Sequence, residues 1–284
     1  MNNCILSVRS LSKKYGRIEA VRNATFSLYK NKISAFLGEN GAGKTTTLKL
    51  ILGFLRPDSG SVDMGDWRIG YVPERPVFFN WLRGKDIIAS TAQMYGIKKQ
   101  NLAQKIEKLS ERISFDRKLL ERKVQTYSLG NQKKFSYLQS LLISPELLIV
   151  DEPFTALDPP SIKSVRELFC ELKKEGRTVF LSSHLVSEVE KICDEFIIIS
   201  RGNIIIQEDL SRLKNDHVFV RFEKAGLDKK KLSALSPWVK EEDAGFVLLI
   251  EKRRLDSLAD LLRNAEPIPS EQPDLEKIFL FFIR

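Results

Sequence analysis

The sequence predicts an α/β fold, a sheet-and-helix core that carries a helical insertion and is followed by a small α+β appendage. Three observations predict it. From Cys4 to about Asn203, strand-like and helix-like runs alternate, as in a sheet flanked by helices. Residues 84–126 break that alternation and show apolar residues only at helical spacing. After about Asp209 the order of runs changes again.

The elements follow in order. "KISAFLG" reads as a buried strand that leads through a glycine turn into a helix running to Leu55. Leu48, Ile51, Leu52 and Leu55 share one face of that helix, and Gly53 and Pro57 weaken and then stop it. Ile106, Leu109 and Ile113 mark the helical insertion, about residues 84–134. "ELLIV" and "RTVFLSS" are further strands, separated by a helix from about Pro160 to Glu175 that ends at Gly176. "DEFIIISRGNIIIQE" reads as two strands around a hairpin turn at Arg201-Gly202-Asn203. The core domain is therefore expected over residues 1–208 and the appendage over 209–284. In the appendage, "HVFVRFE", "KKKLSAL", "WVKEED", "FVLLIEK" and "LDSLADLLRN" read strand, helix, strand, strand, helix, a ferredoxin-like order.

Composition narrows the class. The 284 residues are 43% hydrophobic and 29% charged, as in a globular protein with a substantial core. The richest apolar runs, "ISPELLIV", "FIIIS" and "IFLFFI", fall far short of the roughly 18 to 20 residues that span a bilayer. "MNNCILSVRS" lacks the plan of a signal peptide, and the three cysteines show no CxxC spacing, so a cytosolic setting is expected. The net charge is +9, and residues 84–134 hold twelve Lys and Arg against five Asp and Glu. Such a balance suits solvated helix faces, an anionic membrane surface or nucleic acid.

"GENGAGKT", Gly38 to Thr45, fits G-x-x-x-x-G-K-[ST] between a strand and a helix, the context that motif requires. Gly38, Gly41 and Gly43 let backbone N–H groups curl around phosphate oxygens, with Asn40, Ala42 and Thr46 completing the loop. Lys44 supplies a cation for the β- and γ-phosphates, and the Thr45 hydroxyl can ligate Mg²⁺. In "LLIVDEP" an apolar strand delivers Asp151 for Mg²⁺ and Glu152 to polarise an attacking water. His184, directly after "RTVFLSS", is placed near the γ-phosphate; His217, opening an appendage strand, is read as a bystander. "YSLGNQKKFSYL" sets Ser128 and Gly130 just before a helix, a second anion-binding layout in the same chain.

The order Walker A, "YVPE", "YSLGN", "LLIVDEP", "ALD", "SSH" resembles the ATP-binding subunits of ABC transporters over about residues 3–208. The resemblance implies a P-loop NTPase of the ABC type that binds ATP and Mg²⁺ and hydrolyses the nucleotide. It also implies a head-to-tail dimer, in which Ser128, Gly130 and Asn131 meet the γ-phosphate of ATP on a second ATP-binding subunit, most simply a second copy. Tyr15 in "KKYG" looks like the aromatic that stacks on adenine, with Val21 nearby, although a surface tyrosine in a turn also fits. Glu74 in "YVPE" occupies the loop that links the Mg²⁺ site to a membrane permease, and Asp158 in "ALD" looks like the residue that communicates across the dimer.

The chain departs from the family pattern where Leu129 replaces a glycine, Asn131 a glutamine and Glu74 a glutamine, and where "DSGSVDMGDWRIGYVPE" is short. The first three departures and the tail "PDLEKIFLFF" resemble ABC-2-type exporter ATPases, including those of bacitracin and lantibiotic self-protection. By resemblance the chain would sit in the cytoplasm on the inner face of the cell membrane and drive a separate integral membrane permease. The aromatic loop "VFFNWL" is either core or a docking surface for that permease. ABC ATPases that act on ribosomes or nucleic acid typically carry two cassettes or a long coiled coil. This chain has one Walker A and neither feature, so no nucleic acid partner is expected.

Overall fold

The structure, a computed structural model, describes residues 3–223, 229–243, 245–261 and 268–283. The chain divides into two compact units, Met1–Gln207 and Glu208–Arg284.

The first unit begins with two long strands, β1 (Cys4–Tyr15) and β2 (Ile18–Tyr29), followed by β3 (Ile33–Leu37), helix α1 (Lys44–Ile51), β4 (Ser59–Met64) and β5 (Ile69–Val72). Strands β2, β1 and β4 form an antiparallel sheet. Leu6, Val8 and Leu11 of β1 and Ala24, Phe26 and Leu28 of β2 face its core, with polar residues between them. Next come α2 (Gly84–Met94), α3 (Lys99–Arg112), short 3-10 turns at Arg117–Glu121 and Val124–Thr126, and α4 (Leu129–Leu142). These helices are the insertion that the helical spacing predicts. The remaining elements are β6 (Leu147–Asp151), α5 (Pro159–Lys174), β7 (Thr178–Ser183), α6 (Val186–Glu190), β8 (Glu195–Ser200) and β9 (Asn203–Asp209).

A six-stranded sheet in the order β5-β6-β7-β3-β8-β9 organises this unit, and β5, β6, β7, β3 and β8 run parallel. All residues of β3, β6 and β7 are buried, as expected of parallel strands covered on both faces. Helix α5 starts with Asp158 capping Ser161 N, has proline in its first turn and turns off at Gly176 (φ +79°); Val165, Leu168, Phe169 and Leu172 bury one face.

Helix α1 is shorter than the spacing predicts. It ends at Ile51 because Gly53 adopts φ +73°, and the N–H groups of Phe54 and Leu55 turn back to the Lys49 carbonyl at 2.9 and 3.2 Å. Leu55 still packs on the core, which is why it continues the apolar pattern.

The second unit holds α7 (Leu210–Asp216), β10 (His217–Glu223), α8 (Lys229–Leu235), β11 (Val239–Glu242), β12 (Gly245–Glu251), α9 (Leu255–Leu261), β13 (Ile268–Glu271) and α10 (Leu275–Ile283). Its antiparallel sheet runs β11-β12-β10-β13, the split βαβ arrangement of ferredoxin-like domains. Val218, Val220, Leu232, Leu248, Ile250 and Leu258 form its core. Residues 262–264, the end of the last helix read from "LDSLADLLRN", lie outside the described residues. On α10, Leu275 and Ile278 are fully buried and Phe281 packs on Phe219, with ring centroids 5.4 Å apart, so the tail seals this unit's core.

A candidate nucleotide-binding active site

Four adjacent parallel strands, β5-β6-β7-β3, present their carboxyl ends side by side. That edge is where ligands of open α/β sheets bind. It brings together the loop after β5 (Pro73, Glu74), the end of β6 (Asp151, Glu152), the end of β7 (Ser182 to His184) and the glycine loop after β3.

The glycine loop is shaped by contacts beneath it. Gly43 caps α1 at φ +108°, and a Cβ there would lie 2.3 Å from the Ala20 carbonyl oxygen. A Cβ on Gly38 would lie 2.6 Å from the Ile199 oxygen. Ala42 is buried, and its carbonyl accepts from Gly202 N at 2.9 Å. No side chain caps α1 and its first turn holds no acid. Its leading N–H groups, which have no partner within the helix, are left for an anion.

Lys44 is buried and donates to the carbonyls of Gly38 and Glu39 at 2.7 and 3.3 Å, with Glu152 Oε1 at 3.5 Å. The Thr45 hydroxyl donates to Asp151 Oδ2 at 2.8 Å, and Ser182 Oγ donates to Asp151 Oδ1. Glu152 holds a left-handed backbone, φ +48°, costly for a residue with a Cβ. Its N–H donates to the Ser182 carbonyl and hydroxyl oxygens at 3.1 and 3.2 Å, and His184 Nδ1 lies 2.9 Å from Glu152 Oε2.

Beneath these carboxylates lies Lys133 of α4, which is 1% exposed and donates to the carbonyls of Pro73 and Asp151, both at 2.8 Å. Burial pushes its pKa down to about 8, against the opposing pull of Asp151, Glu152 and Glu74. Burial, with the negative charge of Asp151 and Glu74, pushes the Tyr71 hydroxyl up to about 12.

A cleft of about 730 Å³ opens over this edge and is lined by Asn40, Gly41, Gly43, Lys44, Thr45, Thr46, Glu74, Glu152 and His184, with Ile18, Ala20, Arg17, Arg22 and Arg201 on its far wall. The hairpin arginines and Arg201 carry no motif, and only the fold brings them here. Ser182 and Lys133 are likewise absent from the motif reading; for Lys133 the available signal is a charged residue on the apolar face of a helix.

Other expected residues lie elsewhere. Val21 is buried in the core of the first unit and does not line the cleft, because β2 turns it inward while Ile18 and Ala20 face out to the wall. Tyr15, half exposed beside the Gly16 turn, is not in the lining. Ser128, Gly130, Asn131 and Asp158 form a separate locus. Ser128 Oγ accepts from Asn131 N at 3.3 Å, Asp158 caps α5, and a Cβ on Gly130 would lie 2.8 Å from the Ala156 carbonyl oxygen. Of "VFFNWL", Phe78 packs on Phe135 at 5.1 Å between ring centroids, whereas Val77, Phe79 and Trp81 are exposed.

Unpaired helix N–H groups, a buried cation and a hydroxyl beside a carboxylate suit a triphosphate with its magnesium ion. The oxygen donors Thr45 Oγ1 and Asp151 Oδ2 are the hard ligands Mg²⁺ prefers, and such an ion is completed by phosphate and water rather than by a protein cage. The class so defined is the P-loop NTPases. Residues 21–155 match the family model described as ABC transporter. The uncharacterized ABC transporter ATP-binding protein YxlF of Bacillus subtilis is 35% identical over 216 residues, 74% of this chain and 72% of that protein. The bacitracin transport ATP-binding protein BcrA of Bacillus licheniformis is 34% identical over 222 residues, 74% of this chain and 71% of its own length. Among solved structures, an ATP binding subunit of an ABC transporter superposes with a TM-score of 0.66 at 28% identity, over 74% of this chain and 92% of that one. The chain belongs to the ABC transporter ATP-binding proteins, ATPases that take ATP and Mg²⁺.

Proposed function

We propose that the chain is the ATP-hydrolysing subunit of an ABC-2-type exporter, working as a head-to-tail dimer that drives a separate membrane permease. The observation that carries this reading is the division of the motif residues between two places. The cleft holds the glycine loop, the carboxylates and His184, while Ser128, Gly130, Asn131 and Asp158 stand outside its lining. A second copy turned head to tail supplies them.

In this reading ATP lies along the cleft with its phosphates on the N–H groups of residues 41–46 and on Lys44. Tyr15 or the Ile18 wall receives the base. Thr45 and Asp151, with Glu74 across the cleft, would hold Mg²⁺, which neutralises charge on the phosphate oxygens. Glu152 accepts the proton of the attacking water. His184, 2.9 Å from Glu152, orients that carboxylate and faces the departing phosphate. Ser128 and Gly130 of the other copy complete the γ-phosphate's surroundings.

The exporter branch is supported by the resemblance of the tail and by the relative named for bacitracin transport. Among the described residues no helix is long and apolar enough to cross a membrane, which accords with a permease on a separate chain. Exposed Val77, Phe79 and Trp81, directly after Glu74, offer that permease a docking surface. The basic insertion would face the anionic leaflet on the cytoplasmic side, with about 1 kcal/mol for each lysine or arginine near the surface. The C-terminal unit is read as an accessory domain.

The test is affinity purification of the tagged chain from detergent-solubilised native membranes after nuclease treatment. A stoichiometric polytopic membrane protein is the expected partner. Ribosomal proteins or nucleic acid in its place would overturn the transporter reading.

A further inference from the structure

Helix α4 is fastened to the catalytic edge by a polar stripe on its buried face. Lys133, Tyr137 and Ser140 stand at i, i+4 and i+7, and each donates to a backbone carbonyl in or just after β5 or β6. Tyr137 Oη donates to Pro153 O at 3.0 Å and Ser140 Oγ to Tyr71 O at 2.6 Å. Lys133 alone reaches two loops at once, bonding Pro73 O and Asp151 O, each at 2.8 Å. Pro73 precedes Glu74, and Asp151 precedes Glu152. A hydroxyl or an amide at this position would satisfy carbonyls at less desolvation cost than a buried ammonium. The ammonium also places positive charge under three carboxylates, Asp151, Glu152 and Glu74, while Arg75, 3.9 Å from Glu74, is almost wholly exposed.

We propose that Lys133 is a positioning residue for hydrolysis, a buried clasp through which helix α4 sets the Glu74 loop and the Asp151-Glu152 pair relative to each other. The helix that carries the clasp begins at Ser128. Anything that seats on that helix end bears, through one rigid element, on the carboxylates of the same chain's own cleft. The consequence for turnover rests on the ATPase reading above; the clasp itself does not.

Two measurements on the full chain separate these claims. Hydrogen–deuterium exchange on Lys133→Met, which keeps the unbranched stem and removes the donor, is expected to speed exchange at the Glu152 amide, which bonds Ser182 and belongs to the peptide whose carbonyl Lys133 holds, while that of β3 and α5 is unchanged. Unaltered exchange at Glu152 would overturn the clasp whether or not the protein hydrolyses ATP. Steady-state hydrolysis by the same variant is expected to lose more than ten-fold in kcat with KM for ATP within two-fold. Lys133→Gln, which restores a donor without the charge, is expected to recover part of that loss. A kcat within two-fold of the parent, or loss of kcat together with KM and melting temperature with no recovery in the glutamine variant, would reduce Lys133 to a packing role. Hydrolysis by the parent that is indifferent to Glu152→Gln would instead count against the ATPase reading.

Discussion

The first unit carries motif residues at two helix N-termini, and the two ends are finished differently. Helix α1 has Gly43 as its cap, no side chain answering its N–H groups, and Lys44, Thr45, Asp151 and Glu152 gathered around it. Helix α4 is capped by Ser128, whose hydroxyl accepts from Asn131 N at a long 3.3 Å, and its first residue, Leu129, is 71% exposed. Both ends offer the same device, N–H groups at the positive end of a helix dipole. Only α1 is surrounded by groups that can do chemistry. At the α4 end the cap bond is long, and the carboxylate of the same locus, Asp158, is engaged in capping α5. In the proposed dimer this end would finish a site that begins on the other copy.

The sharpest way to break that comparison is to silence the first end. Glu152→Gln removes the proton acceptor and should lower kcat by about 10² to 10⁴, while light scattering at saturating ATP shows a dimer that persists. A variant that remains monomeric would contradict the shared site. Ser128→Arg acts on the other end and should reduce hydrolysis by about 10², the cost of losing a phosphate-facing donor site, with binding of a fluorescent ATP analogue nearly unchanged. Equal loss of both would mean that Ser128 serves its own chain's cleft. Gly43→Ala should do the converse, weakening nucleotide binding by about ten-fold or more. The new Cβ must hold an unfavourable backbone and lies 2.3 Å from the Ala20 oxygen. Titration with the fluorescent analogue reads this directly.

The contrast also explains what was legible in the sequence. Walker A, "LLIVDEP" and "SSH" are legible because each sits at the end of an apolar strand, and parallel neighbours bring such ends together. The parallel sheet of the first unit is legible for the same reason, whereas the antiparallel second unit is legible from its strand, helix, strand, strand, helix order. The far wall of the cleft is not legible, since Arg17, Arg22 and Arg201 reach it only through the β1–β2 hairpin and the β8–β9 turn. Val21 is placed in the core because the alternation of a strand decides which neighbour faces the cleft, and here Ala20 and Ile18 line it. Lys133 is hidden because a lysine in a helix normally reads as surface, and burial is a property of the packed molecule.

The two histidines extend the comparison to the second unit. His184 is exposed and engaged with Glu152, whereas His217 is 8% exposed and its Nδ1 has no hydrogen-bond partner among the described residues. Burial lowers the His217 pKa below 6.5, against the opposing effect of Glu251, Glu208 and Asp216 and aided by Arg212. The unfolded chain therefore takes up the proton at a higher pH than the folded one. The neutral ring's contribution is present above about pH 6.5 and is lost as pH falls below it. Replacing the ring by one that cannot titrate, His217→Phe, should leave the thermal midpoint near that of the parent at pH 8 and raise it relative to the parent by a few degrees at pH 5. Parallel curves from pH 8 to pH 5 would show that His217 already has a partner for its proton, and the contrast with His184 would fall.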